Sequence, residues 1–283
     1  MGAMAMQGKT VLITGANSGI GKVAATALAG MGATVVLACR RQHAAEAAMA
    51  EIRAAHPEAR LDFVAIDLAS LASVRRAAAE VMARYPVLDV LINNAGLANM
   101  KRLETEDGFE TTFQVNHLGP FLFTNLLLPA LRAGHARIIN VASEAHRAGR
   151  MHWGDLQLKK GYFVLRAYAQ SKLANILFTR ALARRVEADG LHVNCLHPGA
   201  VSTNIWPERN WLEKAFSNLL RLFLISPEKG ARTSIWLASG DVGGKVNGGY
   251  FENCREKKPS RAGRDDAAAE RLWELSANLT GLK

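Results

Sequence analysis

Tyr168 and Lys172 are the residues whose types and spacing most suggest chemistry. They are four positions apart, so on a helix their side chains share one face, one turn apart. A free phenol ionises near pH ~10, which is too high for ready proton transfer at neutral pH. Because a nearby ammonium favours the phenolate, we expect Lys172 to lower the pKa of Tyr168 and make it a general acid and base. An amphipathic helix without catalytic function fits the spacing too, so the pair needs support from other motifs.

A glycine-rich turn follows the first apolar run of the chain. Residues 14–21 read T-G-A-N-S-G-I-G and lead into a helical pattern. Gly15 permits a tight turn, Gly19 lets backbone N–H groups approach a pyrophosphate, and Gly21 lets the helix pack closely on the strand. In this strand–turn–helix context the pattern predicts a dinucleotide site. The expected contacts from the turn are Thr14, Gly15, Asn17, Ser18, Gly19 and Ile20.

The end of the second apolar run indicates which dinucleotide the site prefers. An NAD site usually has an acidic residue about 20 positions after the glycines, where it binds the ribose 2′-hydroxyl. Here that region carries Arg40 and Arg41 instead. Two guanidinium groups would hold a 2′-phosphate by charge-assisted hydrogen bonds, so we expect NADP(H), with NAD(H) as the second choice. Alternatively, both arginines are solvated at the start of the next helix and cofactor choice is made elsewhere.

Polar and small residues follow the third and fourth apolar runs. Asp67, followed by Leu68, can accept a hydrogen bond from an adenine amino group, or it is a turn residue before a helix cap at Ser70. After the fourth run, small residues let the backbone approach the cofactor, while the paired side chains of Asn93 and Asn94 can tie adjacent strands together. The cofactor contacts expected from these two loops are Asp67, Leu68, Asn94, Ala95 and Gly96.

Short apolar runs alternate with helical patterns along most of the chain. The runs that we interpret as buried strands are 11–13, 34–38, 61–66, 90–92, 138–141 and 193–196. This alternation predicts an α/β fold, a Rossmann-type doubly wound parallel sheet of about seven strands with helices on both faces. We expect one domain over 1–283, with 1–7 as a tail or cloning remnant. Segments 144–165 and 203–225 depart from the pattern after strand ends, where open α/β sheets bind ligands.

The composition narrows the class of protein and of partner. The chain has 283 residues, 49% of them hydrophobic, and a formal net charge of +10. Because the positive residues are scattered and no nucleic-acid-reading motif accompanies them, we expect no nucleic acid partner. Cys39, Cys195 and Cys254 are widely spaced and each is predicted to end an apolar strand, so we expect buried free thiols and no metal site. Lack of a signal pattern or an apolar membrane span makes the cytoplasm the expected location.

These motifs, taken together, resemble in order those of the short-chain dehydrogenase/reductase family. The matching positions are the turn at 14–21, N-N-A-G at 93–96, Asn116, Ser143, Y-x-x-x-K at 168–172, and Pro198 with Gly199. Runs at 37–40, 115–119, 171–179 and 249–251 are similar to the retinol-dehydrogenase-like branch, as is the long segment between Ser143 and Tyr168. The resemblance covers nearly the whole chain.

The resemblance implies NAD(P)-dependent hydride transfer between a carbonyl compound and an alcohol. In that role Tyr168 donates the proton to the carbonyl oxygen, and Ser143 hydrogen-bonds the same oxygen. Lys172 lowers the pKa of Tyr168 and binds the nicotinamide ribose. Ser143 could instead be only a helix cap. Pro198, Gly199, Val201 and Thr203 are implied to hold the nicotinamide carboxamide or the pyrophosphate.

Asn116 is implied to support proton transfer by binding a water molecule through its backbone carbonyl. Pro120 lies four residues later and has no N–H, so the helical hydrogen bond to that carbonyl cannot form. We therefore expect a bent helix whose free carbonyl binds water, or else a packing kink without water.

An apolar segment after residue 203 indicates the substrate class. Its large side chains recur at near-helical spacing: Trp206, Trp211, Leu212, Phe216, Leu219, Leu220 and Phe223. We expect residues 203–226 to form an apolar substrate lid, with 151–153 as the opposite wall or as surface. A core helix or a helix in peripheral contact with a membrane also fits.

The sequence as a whole predicts an NADP(H)-dependent oxidoreductase that interconverts a hydrophobic aldehyde or ketone and its alcohol. Reduction of a C=C bond, as in the similar protochlorophyllide reductases, is one alternative. A regulator that senses NADP(H) without turnover is another, although the presence of Tyr168 and Lys172 argues against it. Relatives often associate through the helix that carries Tyr168, so a homodimer or homotetramer is expected.

Overall fold

A computed structural model of the chain describes residues 5–199 and 226–282. These residues form one eight-stranded sheet in the order β3-β2-β1-β4-β5-β6-β7-β8. The strands are β1 Thr10–Thr14, β2 Thr34–Cys39, β3 Arg60–Ala65, β4 Val90–Asn93, β5 Arg137–Val141, β6 His192–His197, β7 Tyr250–Glu252 and β8 Arg255–Lys257. All six predicted strands are confirmed. The strand order reverses between β1 and β4, which places a ligand-binding crevice at their carboxyl ends.

The expected count of about seven strands is wrong by one. β8 is an additional edge strand that pairs antiparallel with β7, whereas every other pairing in this sheet is parallel. Asn253 and Cys254 make the two-residue turn between them in the left-handed region, with φ of 50° and 56°. Because Cys lacks the turn preference of Gly, the sequence did not indicate this hairpin.

The three cysteines differ in their positions relative to the strands. Cys39 ends β2 and is buried, as expected. Cys195 is buried within β6 rather than at its end. Cys254 lies half-buried in the turn after β7, so its placement at a strand end was wrong. All three thiols are free.

Helices cover both faces of the sheet. They are α1 Gly19–Gly30, α2 Gln42–Ala55, α3 Leu71–Arg84, α4 Thr111–Phe113, α5 Gly119–Leu126, α6 Leu128–Ala133, α7 Val164–Arg185, α8 Pro227–Ser239 and α9 Asp266–Thr280. The period-two alternation of a strand divides the core between the faces. In β1, Val11 and Ile13 pack with α1, α2 and α8, whereas Leu12 packs with α3, α5, α6 and α7.

The helix that precedes Pro120 is irregular. A π-helical turn spans Gln114–Leu118, and the N–H of Gly119 donates to the carbonyl of Gln114. The sequence predicted a bend at Pro120, and the irregularity takes this wider form. It places Asn116 in the middle of the turn, while the expected water at its carbonyl stays a prediction.

The segment between Ser143 and α7 is irregular, as predicted. A 3-10 turn at Glu144–Ala148 begins it, and turns and bends continue until α7 starts at Val164. The second irregular segment, 203–225, lies outside the described residues. Across the described ranges, 5–199 and 226–282, none of the helices has the length and apolar character needed to cross a bilayer.

Candidate active site

The glycine turn after β1 has the geometry of a phosphate cradle. Gly15 and Gly19 have φ of +66° and +53°, values that favour glycine. A Cβ on Gly21 would lie 2.5 Å from Nδ2 of Asn94 and closer still to the carbonyl oxygen of Gly15. The close approach of helix and turn expected from Gly21 is thus present. Any side chain there would displace backbone atoms of the turn.

The amino end of α1 is directed at this cradle and is free to bind an anion. Ser18 occupies the N-cap position in an extended conformation, but its side chain makes no capping hydrogen bond. The first turn of α1 carries no acidic side chain. Uncapped N–H groups and the positive end of the helix dipole together favour a bound phosphate.

Asparagines 93 and 94 tie β4 to its two neighbours. Nδ2 of Asn94 donates to the carbonyls of Thr14 (2.9 Å) and Gly15 (3.3 Å), while the Thr14 hydroxyl accepts from the N–H groups of Asn94 and Ala95. On the other side, Nδ2 of Asn93 donates to Asn140 on β5 at 2.8 Å. These bonds confirm the strand-tying function predicted for the paired asparagines and hold the loop against the cradle.

The loops after β2 and β3 form the far end of the crevice. Arg40 is exposed and lines the cavity, whereas Arg41 is exposed at the N-cap position of α2 and does not line it. Asp67 and Leu68 both line the cavity. Oδ1 of Asp67 also accepts from the N–H of Ala69 at 2.9 Å, so the turn function offered as an alternative is present.

Ser143, Tyr168 and Lys172 converge at the other end of the crevice. The hydroxyl of Ser143 lies near enough to the phenol of Tyr168 to lower its pKa, and it accepts from the N–H of Ala145 at 3.2 Å. Ser143 is therefore also the N-cap of the 3-10 turn, as its alternative interpretation proposed. Nζ of Lys172 lies 5.6 Å from the centroid of the Tyr168 ring and donates to the carbonyl of Val141 at 2.9 Å.

For the protein without cofactor, the expectation that Lys172 lowers the pKa of Tyr168 below its ordinary value is wrong. Burial raises the pKa of Tyr168 above its ordinary value, and the hydrogen bond with Ser143 only partly opposes this. Burial also lowers the pKa of Lys172 to about 8. Spacing on a helix indicated proximity, but it could not reveal that both groups are removed from water, which disfavours their charged forms.

Asn116 acts here through its side chain. Its Oδ1 accepts from the N–H of Leu97 at 2.8 Å, and its Nδ2 donates to the Leu97 carbonyl and to Oγ of Ser171, both at 2.9 Å. A Cβ on Gly96 would lie 3.2 Å from Oδ1 of Asn116 and 3.3 Å from Nζ of Lys172. Asn116 thus fixes the loop after β4 against the helix that carries Tyr168.

A cavity of about 510 Å³ connects the glycine turn with Tyr168 and Lys172. The predicted site residues that line it are Thr14, Gly15, Asn17, Ser18, Gly19, Ile20, Arg40, Asp67, Leu68, Asn94, Ala95, Gly96, Tyr168, Lys172 and Pro198. Those that are described but do not line it are Arg41, Asn116, Ser143 and Gly199. Gly199 has a φ of +95°, consistent with a tight turn after β6. Val201, Thr203 and the expected lid up to residue 225 lie outside the described residues.

Comparison with known proteins decides the family. The family model described as short chain dehydrogenase matches residues 9–213. The chain belongs to the short chain dehydrogenase family. Retinol dehydrogenase 14 of Homo sapiens is 44% identical over 294 residues, which cover 98% of this chain and 88% of that protein. Dehydrogenase/reductase SDR family member 13 of Homo sapiens is 44% identical over 282 residues, 98% of this chain and 74% of that protein.

A solved structure agrees with this assignment. The crystal structure of an uncharacterized protein from Mycobacterium Paratuberculosis has a TM-score of 0.79 and 37% identity, covering 97% of this chain and 94% of that one. The relatives place this short chain dehydrogenase in the retinol-dehydrogenase-like branch. It is an oxidoreductase that acts on an alcohol/carbonyl pair.

Several residues that line the cavity of this short chain dehydrogenase were not predicted as site residues. They are Gly21, Ala38, Cys39, Ile66, Ala69, Leu97, Thr111, Val115, Val141, Ala142 and Pro227. Most lie at or just after the carboxyl end of a strand. Because open α/β sheets bind ligands at these ends, the predicted strands could have indicated them. Burial raises the pKa of Cys39 to about 11, against backbone hydrogen bonds from Ala16 and Asn17, so this thiol is neutral and unreactive.

Proposed function

We propose that this short chain dehydrogenase is an NADP(H)-dependent oxidoreductase that reduces a hydrophobic aldehyde or ketone, with Tyr168 as the acid and base. The observation that carries the proposal is the single cavity that reaches from the glycine turn to Tyr168 and Lys172. A phosphate cradle at one end and the phenol of Tyr168 beside Ser143 at the other suit one extended cofactor with a substrate beside it.

The residues of the crevice fit a nicotinamide dinucleotide that carries a 2′-phosphate. The glycine turn and the amino end of α1 would hold the pyrophosphate. Arg40 lines the cavity after β2 and, among the described residues, forms no ion pair with an acidic side chain. Its guanidinium would bind the 2′-phosphate. When bound, the cofactor supplies or accepts the hydride.

Ser143 would hydrogen-bond the oxygen of the substrate, and Tyr168 would protonate it. Negative charge that develops on a reduced carbonyl oxygen would be stabilised by the Ser143 hydroxyl and neutralised by the proton of Tyr168. Because burial raises the pKa of Tyr168, the phenol is protonated at neutral pH and ready to donate. The resulting phenolate would then regain its proton, with the Lys172 ammonium nearby to stabilise it.

The proposed substrate class rests on apolar residues that line the cavity and on the relatives. Leu97 and Val115, on either side of the Asn116 clamp, both line the cavity. The sequence 206–223 adds further large apolar side chains after the strand that leads to Pro198. Relatives with over 40% identity include retinol dehydrogenases 13 and 14 of Homo sapiens, so all-trans-retinal is a suitable test substrate, and a fatty aldehyde probes the same apolar class.

A substrate panel with product analysis tests the proposal. The full chain is incubated with all-trans-retinal, decanal or an aromatic ketone, each with NADPH and with NADH. We expect the corresponding alcohol to form faster with NADPH. A product that keeps its carbonyl but loses a C=C bond contradicts the proposal. Tight binding of NADPH without turnover of any carbonyl compound or alcohol also contradicts it and indicates a cofactor-sensing regulator.

A further inference from the structure

The 3-10 turn after Ser143 contains a fully buried histidine. His146 is 0% exposed, although it lies only three residues from Ser143. Because its side chain is fully buried, it cannot touch the substrate or the cofactor directly. Burial lowers its pKa below the ordinary value, which keeps the ring neutral at pH 7. A buried neutral imidazole has one donor and one acceptor, and both need partners.

The hydrogen bonds of His146 determine which ring nitrogen carries the proton. Nε2 lies 3.0 Å from the backbone nitrogen of Ser260, which can only donate. Nε2 is therefore the acceptor and Nδ1 carries the hydrogen. Nδ1 lies 2.7 Å from the carbonyl oxygen of Ser143, to which it donates. That oxygen also accepts from the N–H of His146 at 3.1 Å, so both of its lone pairs are used.

The imidazole is in turn held by elements that follow β6. The ring of Tyr250 packs edge-on against it, with centroids 5.1 Å apart and an interplanar angle of 63°. The hydroxyl of Tyr250 donates to Glu144 at 2.8 Å. At the end of the turn, a Cβ on Gly149 would lie 2.6 Å from the carbonyl of Ala169, the neighbour of Tyr168 on α7. The turn is therefore clamped between the carboxy-terminal segment and the helix that carries the phenol.

We propose that His146 is a positioning residue for Ser143. Its Nδ1–H fixes the Ser143 carbonyl and the N–H of Ala145 fixes the Ser143 hydroxyl oxygen, so the hydroxyl is held beside the phenol of Tyr168 and keeps its hydrogen available to donate. Without the Nδ1–H, the backbone at Ser143 can rotate and its hydroxyl loses this alignment. The inference rests on the proposed function, since alignment of Ser143 matters only if Ser143 and Tyr168 act on one substrate oxygen.

Two substitutions separate the two hydrogen bonds of the ring. In His146→Asn the side-chain amide can replace Nδ1–H and donate to Ser143, but nothing reaches Ser260. In His146→Gln the amide oxygen can replace Nε2 and accept from Ser260, but the donor to Ser143 is lost. Each variant leaves one buried polar group without its partner, so we expect similar losses of thermal stability.

The two variants are compared in the reduction of decanal by NADPH. We expect kcat to fall by roughly 10-fold to 100-fold in His146→Gln, and by about threefold or less in His146→Asn. The KM for NADPH should change little in either. In His146→Gln the limb of the pH–kcat profile assigned to Tyr168 should move to higher pH, because the Ser143 hydrogen bond lowers the pKa of the phenol. A purely structural function of His146 would change both variants alike and leave the limb in place.

Equal kcat values for the two variants, or a greater loss in His146→Asn, overturn the inference. If either variant fails to fold, ¹⁵N NMR of the histidine rings in the wild type tests the inference, because it shows which ring nitrogen of His146 carries the hydrogen. The Nδ1–H tautomer of His146 at pH 7 supports the inference, and an Nε2–H tautomer or a charged ring contradicts it. Tyr168→Phe is measured in parallel. Full activity of Tyr168→Phe contradicts the proposed function itself. If Tyr168→Phe is inactive and the two His146 variants have equal kcat values, only the inference about His146 is contradicted.

Discussion

At the scale of single residues, burial decides the electrostatics of Tyr168 and Lys172. Their helical spacing correctly predicted that the two groups are neighbours, with Nζ 5.6 Å from the ring centroid. It gave the wrong direction for the pKa of Tyr168, because desolvation of the buried phenol raises this pKa by more than Ser143 lowers it. A sequence shows which groups are adjacent along a helix, but the water that each group loses depends on the whole fold.

Lys172→Met should stabilise the protein in the absence of cofactor. Folding lowers the pKa of Lys172 from 10.5 to about 8, so below pH 8 the folded state carries a buried charge at a cost. Removing it should raise the free energy of unfolding at pH 7 by roughly 1–3 kcal/mol. The Val141 carbonyl keeps a donor, since Nδ2 of Asn175 lies 3.3 Å away.

The pH dependence of this gain identifies its cause. Between pH 8 and 10.5 the folded protein has released the proton of Lys172 while the unfolded chain keeps it, so the stability of the wild type rises with pH. The difference in free energy of unfolding between Lys172→Met and the wild type should therefore disappear by pH 10.5. Urea unfolding of both proteins at pH 7 and pH 10.5 measures this. A gap that stays constant with pH, or a less stable variant at pH 7, would show that the buried charge is not costly.

Arg40→Asp should shift cofactor preference from NADPH toward NADH. Loss of a charge-assisted hydrogen bond and gain of repulsion should lower the ratio of kcat/KM for NADPH over NADH by ~100-fold. Arg41→Asp is a matched control, because Arg41 carries the same charge but does not line the cavity. Steady-state kinetics with both cofactors gives the ratio. The assignment of the 2′-phosphate site is wrong if NADPH stays preferred or if both variants shift equally.

At the scale of elements, the sequence predicted the regular strands and the glycine turn well. The buried runs have a clear apolar pattern, and the turn has glycines at two positions where the backbone has a positive φ. The π-helical turn at Gln114–Leu118 was not predictable in its form, because Pro120 indicates only which hydrogen bond is missing. Neighbouring elements determine how the helix compensates for that loss.

Gly21→Ala tests the close approach of α1 to the glycine turn. In most helices Gly→Ala is stabilising by about 1 kcal/mol. Here the new Cβ would meet the carbonyl oxygen of Gly15 and Nδ2 of Asn94, so the turn must shift. We expect the Kd for NADPH, measured by fluorescence titration, to rise by ~10-fold or more.

Gly154→Ala is the control for this change. Gly154 is exposed, and a Cβ there would have nothing within 4 Å. The control should bind NADPH like the wild type. Unaltered affinity in Gly21→Ala would show that the turn tolerates displacement and does not need a glycine for cofactor binding.

At the scale of the whole molecule, the parallel sheet was predictable, but its strand order and its far edge were not. Strand–helix alternation predicts a parallel sheet with the site at the carboxyl ends of its strands, and it is compatible with more than one strand order, so the order of β1 to β6 is seen only in the structure. β8 has three exposed residues and no apolar pattern, so only its pairing with β7 reveals it. His146 likewise had no sequence signal, because its partner Ser260 lies far away along the chain.

Largely exposed ion pairs connect α9 with α7 at the surface. Glu270 interacts with Arg184 and Arg185, and the hydrogen bond from Arg185 is the main cause that lowers the pKa of Glu270 to about 2. The stabilisation is present above pH 4.5 and is lost as the pH falls toward 2. Because solvent screens the pairs, Glu270→Gln should reduce the free energy of unfolding by less than ~1 kcal/mol at pH 7.

Urea unfolding at low and high salt checks this estimate. The difference between Glu270→Gln and the wild type should shrink in ~1 M NaCl, where the Debye length is near 3 Å. A difference of several kcal/mol that is independent of salt would mean that these charges are effectively buried.

Tyr168 is proposed to donate the proton to the substrate oxygen, so kcat of Tyr168→Phe is the decisive measurement. Tyr85→Phe is the control, because Tyr85 is at the end of α3 with its hydroxyl bonded to Asp62 and does not line the cavity. In the reduction of decanal at saturating NADPH, we expect a ~10²–10⁴-fold lower kcat for Tyr168→Phe and near-wild-type turnover for Tyr85→Phe. A kcat for Tyr168→Phe equal to that of Tyr85→Phe would contradict the account.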